Sequence, residues 1–372
     1  MEILIVNEFF DNIYKDKTVL VTGDSGFKGS WLTIWLLSLG ANVIGYALEP
    51  KTAKDHYSIC GLYNKITHIH GDIRDYQKLS KVFSKYEPDI VFHLAAQAIV
   101  LESYKDPHYT FSTNVMGTVN LFEAIRQTPS VKAVINVTSD KCYENREWVY
   151  GYRETDPMGG KDPYSASKGA SEIITSSYLH SFFSRNNTAN IASARAGNVI
   201  GGGDWASHRI FPDCMRALLQ NKPVVIRNPN AVRPWQHVLE PLSGYLILGS
   251  LLYTEDKNYS GGWNFGPSMK NMISVKQLVD ETIKQYGSGK YLIQEQTDDN
   301  LEAHFLHLDI SKAVNELNWR PVLDLKQTVK FAIEEYKIDQ FTSEEIFNQS
   351  IDHIKQYTNL RLNMEKGINA KV

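Results

Sequence analysis

The chain of 372 residues is poor in cysteine, in excess charge of either sign and in long unbroken apolar runs. Its three cysteines, Cys60, Cys142 and Cys214, are widely spaced, with no C-x-x-C pair and no zinc spacing. That excludes a disulfide framework; reduced thiols in a cytoplasmic protein are the expectation, and no metal site is expected. Lysine and arginine number 39 against 42 acids, a net charge of -3. A basic surface of the kind that binds nucleic acid or membranes non-specifically is therefore absent, and neither is expected as a partner. Any anionic ligand must be held by local placement of charges. The start, MEILIVNEFFDNIYKDK, has an acid at Glu2, no basic region and too short an apolar run for a signal peptide. Trp31 to Leu48 carries no charge and nears membrane-span length. Gly40-Ala41-Asn42 interrupts it, which predicts a helix followed by a buried strand. No internal repeat or low-complexity segment is present. The length suffices for a large core, in two domains or one α/β unit with a lobe.

What is there alternates. Short apolar runs at Thr18–Thr22, Asn42–Ala47, Ile66–His70, Ile90–His93, Ala133–Thr138 and Ile191–Ala194 predict buried parallel strands. Between them, helical patterns cover Lys28–Leu39, Tyr76–Tyr86, Asn114–Arg126 and Tyr164–Phe183. This rhythm predicts a doubly wound parallel sheet. After Arg195 the rhythm breaks into loop-rich segments with Gly201-Gly202-Gly203-Asp204 and Arg233-Pro234-Trp235. The expected organisation is a sheet domain over residues 1–195, completed by strand returns from the later chain. A smaller mixed α/β lobe over 196–340 follows, then a peripheral helix and loose tail over 341–372.

The first strand runs into Gly23-Asp24-Ser25-Gly26-Phe27-Lys28-Gly29, a G-x-x-G-x-x-G turn that opens the first helix. Glycines suit a turn of positive φ and a close approach of backbone to a pyrophosphate, which the helix N-terminus favours. A tight turn with no ligand is the plainer reading of the same glycines. In this strand–turn–helix setting they predict dinucleotide binding and a Rossmann-type sheet. Glu49, just past the second strand, suits a ribose hydroxyl and repels a 2′-phosphate, which favours NAD; an exposed loop acid is the alternative.

Tyr164-Ser165-Ala166-Ser167-Lys168 is Y-x-x-x-K at the head of a helix, with both side chains on one face. An ammonium beside a phenol favours tyrosinate, so the spacing predicts a lowered Tyr164 pKa and a proton acceptor. The glycine turn, Gly71-Asp72, His93-Leu94-Ala95-Ala96-Gln97, Asn114 and Y-x-x-x-K together resemble the extended short-chain dehydrogenase/reductase superfamily over residues 18–200. The resemblance implies NAD held by Gly23, Gly26, Phe27, Gly29, Glu49, Asp72, Ile73, Leu94, Ala95, Gln97 and Thr138. It implies Tyr164 and Lys168 as the catalytic pair, with Lys168 also on the nicotinamide ribose.

Thr138-Ser139-Asp140-Lys141 resembles the sugar-nucleotide 4,6-dehydratases, which carry a hydroxyl residue, an Asp and a base there. A lysine as the third member resembles the CDP-glucose 4,6-dehydratases in particular. The strings Gly26–Trp31, Asn145–Trp148, Arg195–Trp205 and Arg233–Pro241 match that group too. The resemblance spans about residues 15–320. It implies catalysis by Tyr164, Lys168, Ser139, Asp140 and Lys141 on CDP-glucose, feeding deoxy-sugar assembly for surface polysaccharide. It assigns Asn198 to the sugar nucleotide. Arg233 is a candidate for the diphosphate, because guanidinium forks bind phosphate oxygens in pairs, and a surface ion pair is its alternative. Arg209, His304 and His237 are looser candidates. A sugar-nucleotide 4-epimerase would keep Tyr164 and Lys168 without needing Asp140 and Lys141, and a non-catalytic nucleotide-sugar binder would need none of them. Members pair through two long helices, here Asn114–Arg126 and Tyr164–Phe183, which implies a homodimer or a dimer of dimers. The sequence departs from close relatives at Asp24, where they have His and where the acid adds charge near the pyrophosphate. It departs again at Leu101 and Glu102.

Overall fold

The computed structural model describes residues 10, 12–184, 188–254, 256–268, 272–294, 306–338 and 340–369. The candidate His304 lies outside them.

Seven parallel strands form the central sheet. They are β1 (Thr18–Thr22), β2 (Asn42–Ala47), β3 (Thr67–His70), β4 (Ile90–His93), β5 (Ala133–Val137), β6 (Asn190–Ala196) and β7 (Gly261–Phe265). Their order across the sheet is β7-β6-β5-β4-β1-β2-β3. The chain winds outward from β1 to β3, returns to β4 beside β1, and winds the other way. The direction therefore reverses between β1 and β4, where Thr22 lies opposite His93. Ligands of doubly wound sheets bind at the carboxyl ends of the strands at such a reversal. The predicted strands stand within two residues of their expected ends. The seventh is a return from the later chain that pairs with β6 from Gly261 opposite Ala192 to Phe265 opposite Ala196.

Apart from the edge strand β3, the sheet is buried on both faces, as parallel strands require. One face packs under α1 (Phe27–Ser38), α5 (Leu239–Thr254) and α7 (Ser343–Asn369), with Trp31, Trp35, Leu242, Leu246 and Tyr357 fully buried. The other packs under α2 (Tyr76–Tyr86), α3 (Gly117–Arg126) and α4 (Pro163–Phe182), through Leu79, Phe83, Leu121, Phe122 and Ile125. The uncharged run from Trp31 to Leu48 is the end of α1 plus β2, so its apolarity serves the core. Among the described residues no helix is long and apolar enough to cross a membrane.

One detail differs from the pattern read off the sequence. The helix expected from Asn114 begins as a π-helical turn, Ser112–Met116, before α3 starts at Gly117. The final helix α7 is held against α1 and α5. Its Tyr357 meets Trp35 edge-to-face at 5.8 Å and donates to Glu240 Oε2 at 2.7 Å. The lobe beside the sheet gathers Ile200, Phe211, Met215, Trp235, Leu278 and α6 (Leu325–Tyr336) into its own cluster.

Candidate active site

At the end of β1 the backbone turns through Gly23 at φ +76°. A Cβ there would lie 2.7 Å from the Ala95 nitrogen, and one on Gly29 would lie 2.0 Å from the Gly23 carbonyl oxygen. Only glycine admits this turn and the tight seat of α1 on it. The N-cap of α1 is Gly26, with no side chain capping the first turn, so the helix start offers its N–H groups to an anion. Phe27 packs beside Gly201, on the way to the lobe. Across the reversal, the Leu94 N–H donates to the Thr22 carbonyl at 3.0 Å and the Ala95 N–H to Thr22 Oγ1 at 3.3 Å. Asn114, in the π-helical turn, accepts from the Gln97 N–H at 2.8 Å. It also donates to the Gln97 carbonyl at 3.0 Å and to Ser167 Oγ at 2.8 Å, tying the β4 turn to α4. Glu49 stands exposed past β2, with His70 Nδ1 at 3.3 Å. These features fit the dinucleotide NAD. Of the other residues expected at the cofactor, Asp72 is held by Arg74 at 2.6 Å, Ile73 is buried against Gly117, and the Thr138 hydroxyl donates to Glu172.

Past β5, Ser139 caps a short 3₁₀ turn, Asp140–Cys142, and its hydroxyl donates to Asp140 Oδ1 at 2.9 Å. Helix α4 begins opposite it. Asp162 accepts the Ser165 N–H at 2.9 Å and Pro163 opens the first turn, which sets Tyr164 and Lys168 on the buried side. Burial pushes the Tyr164 phenol up to about 12, against a hydrogen bond with Ser139 that lowers it. This is the opposite of the lowering that Y-x-x-x-K predicts. Arg209 also acts on the phenol and lowers it, while the Lys168 ammonium reaches toward the Val137 carbonyl at 3.5 Å. Burial brings Lys168 itself down to about 8. Asp140 is buried, and desolvation raises its carboxyl, with Lys141, Ser139, Lys28 and Arg233 pulling it back. A buried carboxyl held up in this way is suited to donate a proton.

The lobe supplies the other wall. Gly197 lies against Asp140, since a Cβ there would stand 2.9 Å from Oδ2, and this places Asn198 next in line. Arg233 is buried, with Nη1 donating to the Val232 carbonyl at 2.9 Å, and its charge acts on Asp140. Arg209 pairs with Asp204 at 2.8 Å. Sequence reasoning missed Lys28 as a member of this group. It sits in the first turn of α1, 3.5 Å from the Tyr245 hydroxyl, and burial with Arg209 nearby lowers it to about 7. A lone lysine in an otherwise apolar helix was the available signal. Also missed was the buried pair beneath the site: Arg195 meets Glu172 at 2.8 Å, and Ser193 donates to the same carboxylate at 2.6 Å.

Lys141, Lys28 and Arg233 thus act on one buried carboxyl, Asp140, and Arg209 and Lys168 act in turn on Lys28. A phenol and a hydroxyl complete the group. It is equipped for proton transfer beside a dinucleotide cradle, with positive charge for a second anionic ligand.

Comparison with known proteins agrees. Over 322 residues the chain is 49% identical to the CDP-glucose 4,6-dehydratase of Salmonella typhimurium, covering 86% of this chain and 90% of that one. It is 28% identical to the CDP-paratose 2-epimerase of Salmonella typhi, over 84% of this chain and 97% of that protein. Among solved structures, a dTDP-glucose 4,6-dehydratase from Streptomyces venezuelae with NAD and TYD bound aligns at TM-score 0.74 and 22% identity, covering 87% and 98% of the two chains. The UDP-glucuronic acid 4-epimerase of Bacillus cereus, in complex with UDP-glucuronic acid and NAD, aligns at TM-score 0.74 and 22% identity, covering 86% and 99%. The family described as GDP-mannose 4,6 dehydratase matches residues 20–331. Since that match runs unbroken through the glycine turn, the Tyr164 helix and most of the lobe, the chain belongs to this family.

Proposed function

We propose that the protein dehydrates CDP-glucose to its 4-keto-6-deoxy product, with NAD retained from one turnover to the next. The observation that carries this is the Ser139-Asp140-Lys141 turn beside Tyr164: an acid and an amine, both additional to the pair that oxidation alone requires. The 49% identity to a CDP-glucose 4,6-dehydratase supports the nucleotide.

Tyr164, as the phenolate that Ser139 and Arg209 favour against burial, takes the proton of the sugar 4-hydroxyl, and Ser139 hydrogen-bonds the same oxygen. NAD, which the turn of Gly23, Gly26 and Gly29 would hold, would supply the acceptor for the C4 hydride and its return at C6. The 4-ketone acidifies the C5 proton, which Lys141 removes; once water has left and hydride is back at C6, Lys141 protonates C5. Asp140 protonates the departing 6-hydroxyl, and water leaves. Only water is lost and no net oxidation occurs. Lys28, Arg209 and Arg233 compensate the diphosphate, Asn198 contacts the nucleotide sugar, and Lys168 holds the nicotinamide ribose.

The same reading makes the protein a cytoplasmic homodimer in a deoxy-sugar pathway. The π-helical turn before α3 and helix α4 carry exposed apolar side chains, with Met116 at 51% and Ile173 at 61% exposure, and a second copy covers them.

The test is incubation with CDP-glucose and NAD in deuterated water. Dehydration yields a 4-ketone carrying deuterium at C5 and no net NADH. A C4 epimer without solvent label overturns the reading in favour of a 4-epimerase. Parallel UDP-, dTDP- and GDP-glucose arms test the nucleotide. Lys141→Met should bind NAD yet lose the C5 label.

A further inference from the structure

Glu335, in the last turn of α6, lies just beyond the stretch that the family shares. Its carboxylate is buried and has three partners from three separate elements. Oε2 accepts the Gly202 N–H at 2.6 Å. His237 Nε2 stands 3.1 Å from Oε1, and His353 Nδ1, on α7, stands 2.9 Å from the same oxygen. The second ring nitrogen of His353 meets Glu334 at 3.4 Å, so the imidazole faces a carboxylate on each side. His237 is fully buried in this arrangement, which makes it a structural hydrogen-bonder and not a ligand to substrate.

What these groups hold is the loop between two candidate substrate residues, Asn198 and Arg209. Trp31 Nε1 donates to the Gly202 carbonyl at 3.0 Å, and Tyr336, next to Glu335, donates to the Asp204 carbonyl. Asp204 in turn holds Arg209. Gly202 is pressed onto α6 so closely that a Cβ would lie 2.2 Å from Glu335 Cβ, and Gly203 takes φ +76° over His56. We propose that Glu335 and His353 are positioning residues for the sugar nucleotide, fixing the 198–209 loop through the C-terminal helices without touching substrate. This rests on the reading that Asn198 and Arg209 face that ligand.

Charge makes the device pH-sensitive. Burial pushes the Glu335 carboxyl up, but His237 and His353 overcome this and hold it well below the usual range. Burial lowers His353, yet its bonds and charges with Glu335 and Glu334 leave it above an ordinary histidine. His56, stacked on Trp31 and brought down to about 4 by burial, adds no charge near neutral pH. Ser30 Oγ and Ser350 Oγ flank the His56 ring at 3.3 Å and 3.1 Å, Cys60 lies beside Ser350 with burial pushing its thiol up to about 12, and Tyr336 is the further titratable group facing Glu335. A raised histidine stabilises fully below its ordinary value and loses the contribution as pH rises through the higher one. The loop should therefore slacken on the alkaline side.

The test uses NAD-loaded protein and the variants Glu335→Gln and His353→Gln. Hydrogen exchange in peptides spanning 198–209, without any sugar nucleotide, should quicken in both. KM for CDP-glucose should rise about tenfold, the worth of roughly one hydrogen bond, with kcat and NAD affinity nearly unchanged. The wild-type KM should climb with alkaline pH, and in His353→Gln it should be high and flat. A purely structural role would lower melting temperature without moving KM or its pH profile. Wild-type exchange and KM in folded, NAD-binding variants overturn the proposal. If the wild type fails to turn over CDP-glucose, the functional reading falls, while the exchange measurement still decides this one.

Discussion

His68 Nδ1 meets Asp24 Oδ2 at 2.7 Å, so the acid of the glycine turn is paired across the sheet to β3. The carboxylate is fully buried over Gly45, where a Cβ would lie 2.2 Å from it. Its charge thus faces the sheet and is answered there, in place of adding to a pyrophosphate on the other side of the turn. Desolvation raises the Asp24 carboxyl and His68 pulls it back; burial lowers His68, and Asp24 with Glu49 leaves it raised.

A raised histidine lends its stability below its ordinary value and loses it as pH climbs through the raised one. The melting temperature of the wild type should therefore fall from about pH 6.5 upward. Asp24→Asn should flatten that dependence, because no buried carboxylate is left unpaired. His68→Leu strands the acid and should cost about 3 kcal/mol, the scale for a broken buried pair. Equal pH slopes in wild type and Asp24→Asn, followed by calorimetry, would remove the pair from this role.

Lys28 at about 7 and Lys168 at about 8 are partly neutral near pH 8. An anionic ligand among them favours the charged amines and raises both values. Binding of CDP-glucose to the NAD-loaded protein at pH 8 should take up a fraction of a proton, and affinity should weaken from pH 7 to 9. Titration calorimetry in buffers of differing ionisation enthalpy reads the uptake directly. Lys28→Met should reduce it, and proton release in the wild type would contradict the assignment.

Glu172 has a different kind of importance. It accepts from Thr138, Ser193 and Arg195 beneath the Ser139–Lys141 turn. Glu172→Leu leaves the Arg195 guanidinium buried without its counter-charge and should destabilise by about 3–5 kcal/mol. Chemical denaturation measures this. A loss below about 1 kcal/mol, the median for surface pairs, would mean that water reaches the arginine.

The sheet strands and the glycine turn were legible because each is written locally. Thr18–Thr22 is an apolar run, and Gly23, Gly26 and Gly29 have a spacing that backbone geometry demands. Tyr164 and Lys168 were legible for the same reason, one helical turn apart. The environment of Tyr164 was not, since its phenol answers to burial and to Arg209 from the lobe. Glu335 with His237 and His353, or Glu172 with Arg195, are partners chosen by the fold; no spacing announces them. Lys28 carried a local signal, the one charged side chain of an otherwise apolar helix, but the partners it meets in the site, Arg209 and Tyr245, are brought there by the fold.

The strand Gly261–Phe265 closes the sheet alongside β6 and is made long after it. During synthesis β6 emerges with an open edge of unpaired backbone groups, and it keeps that edge until the lobe has been translated. A ribosome paused in the lobe would hold a sheet able to recruit a strand from another chain. Slow translation of the lobe should therefore favour aggregates seeded at β6, and a chaperone that shields this one edge should rescue yield.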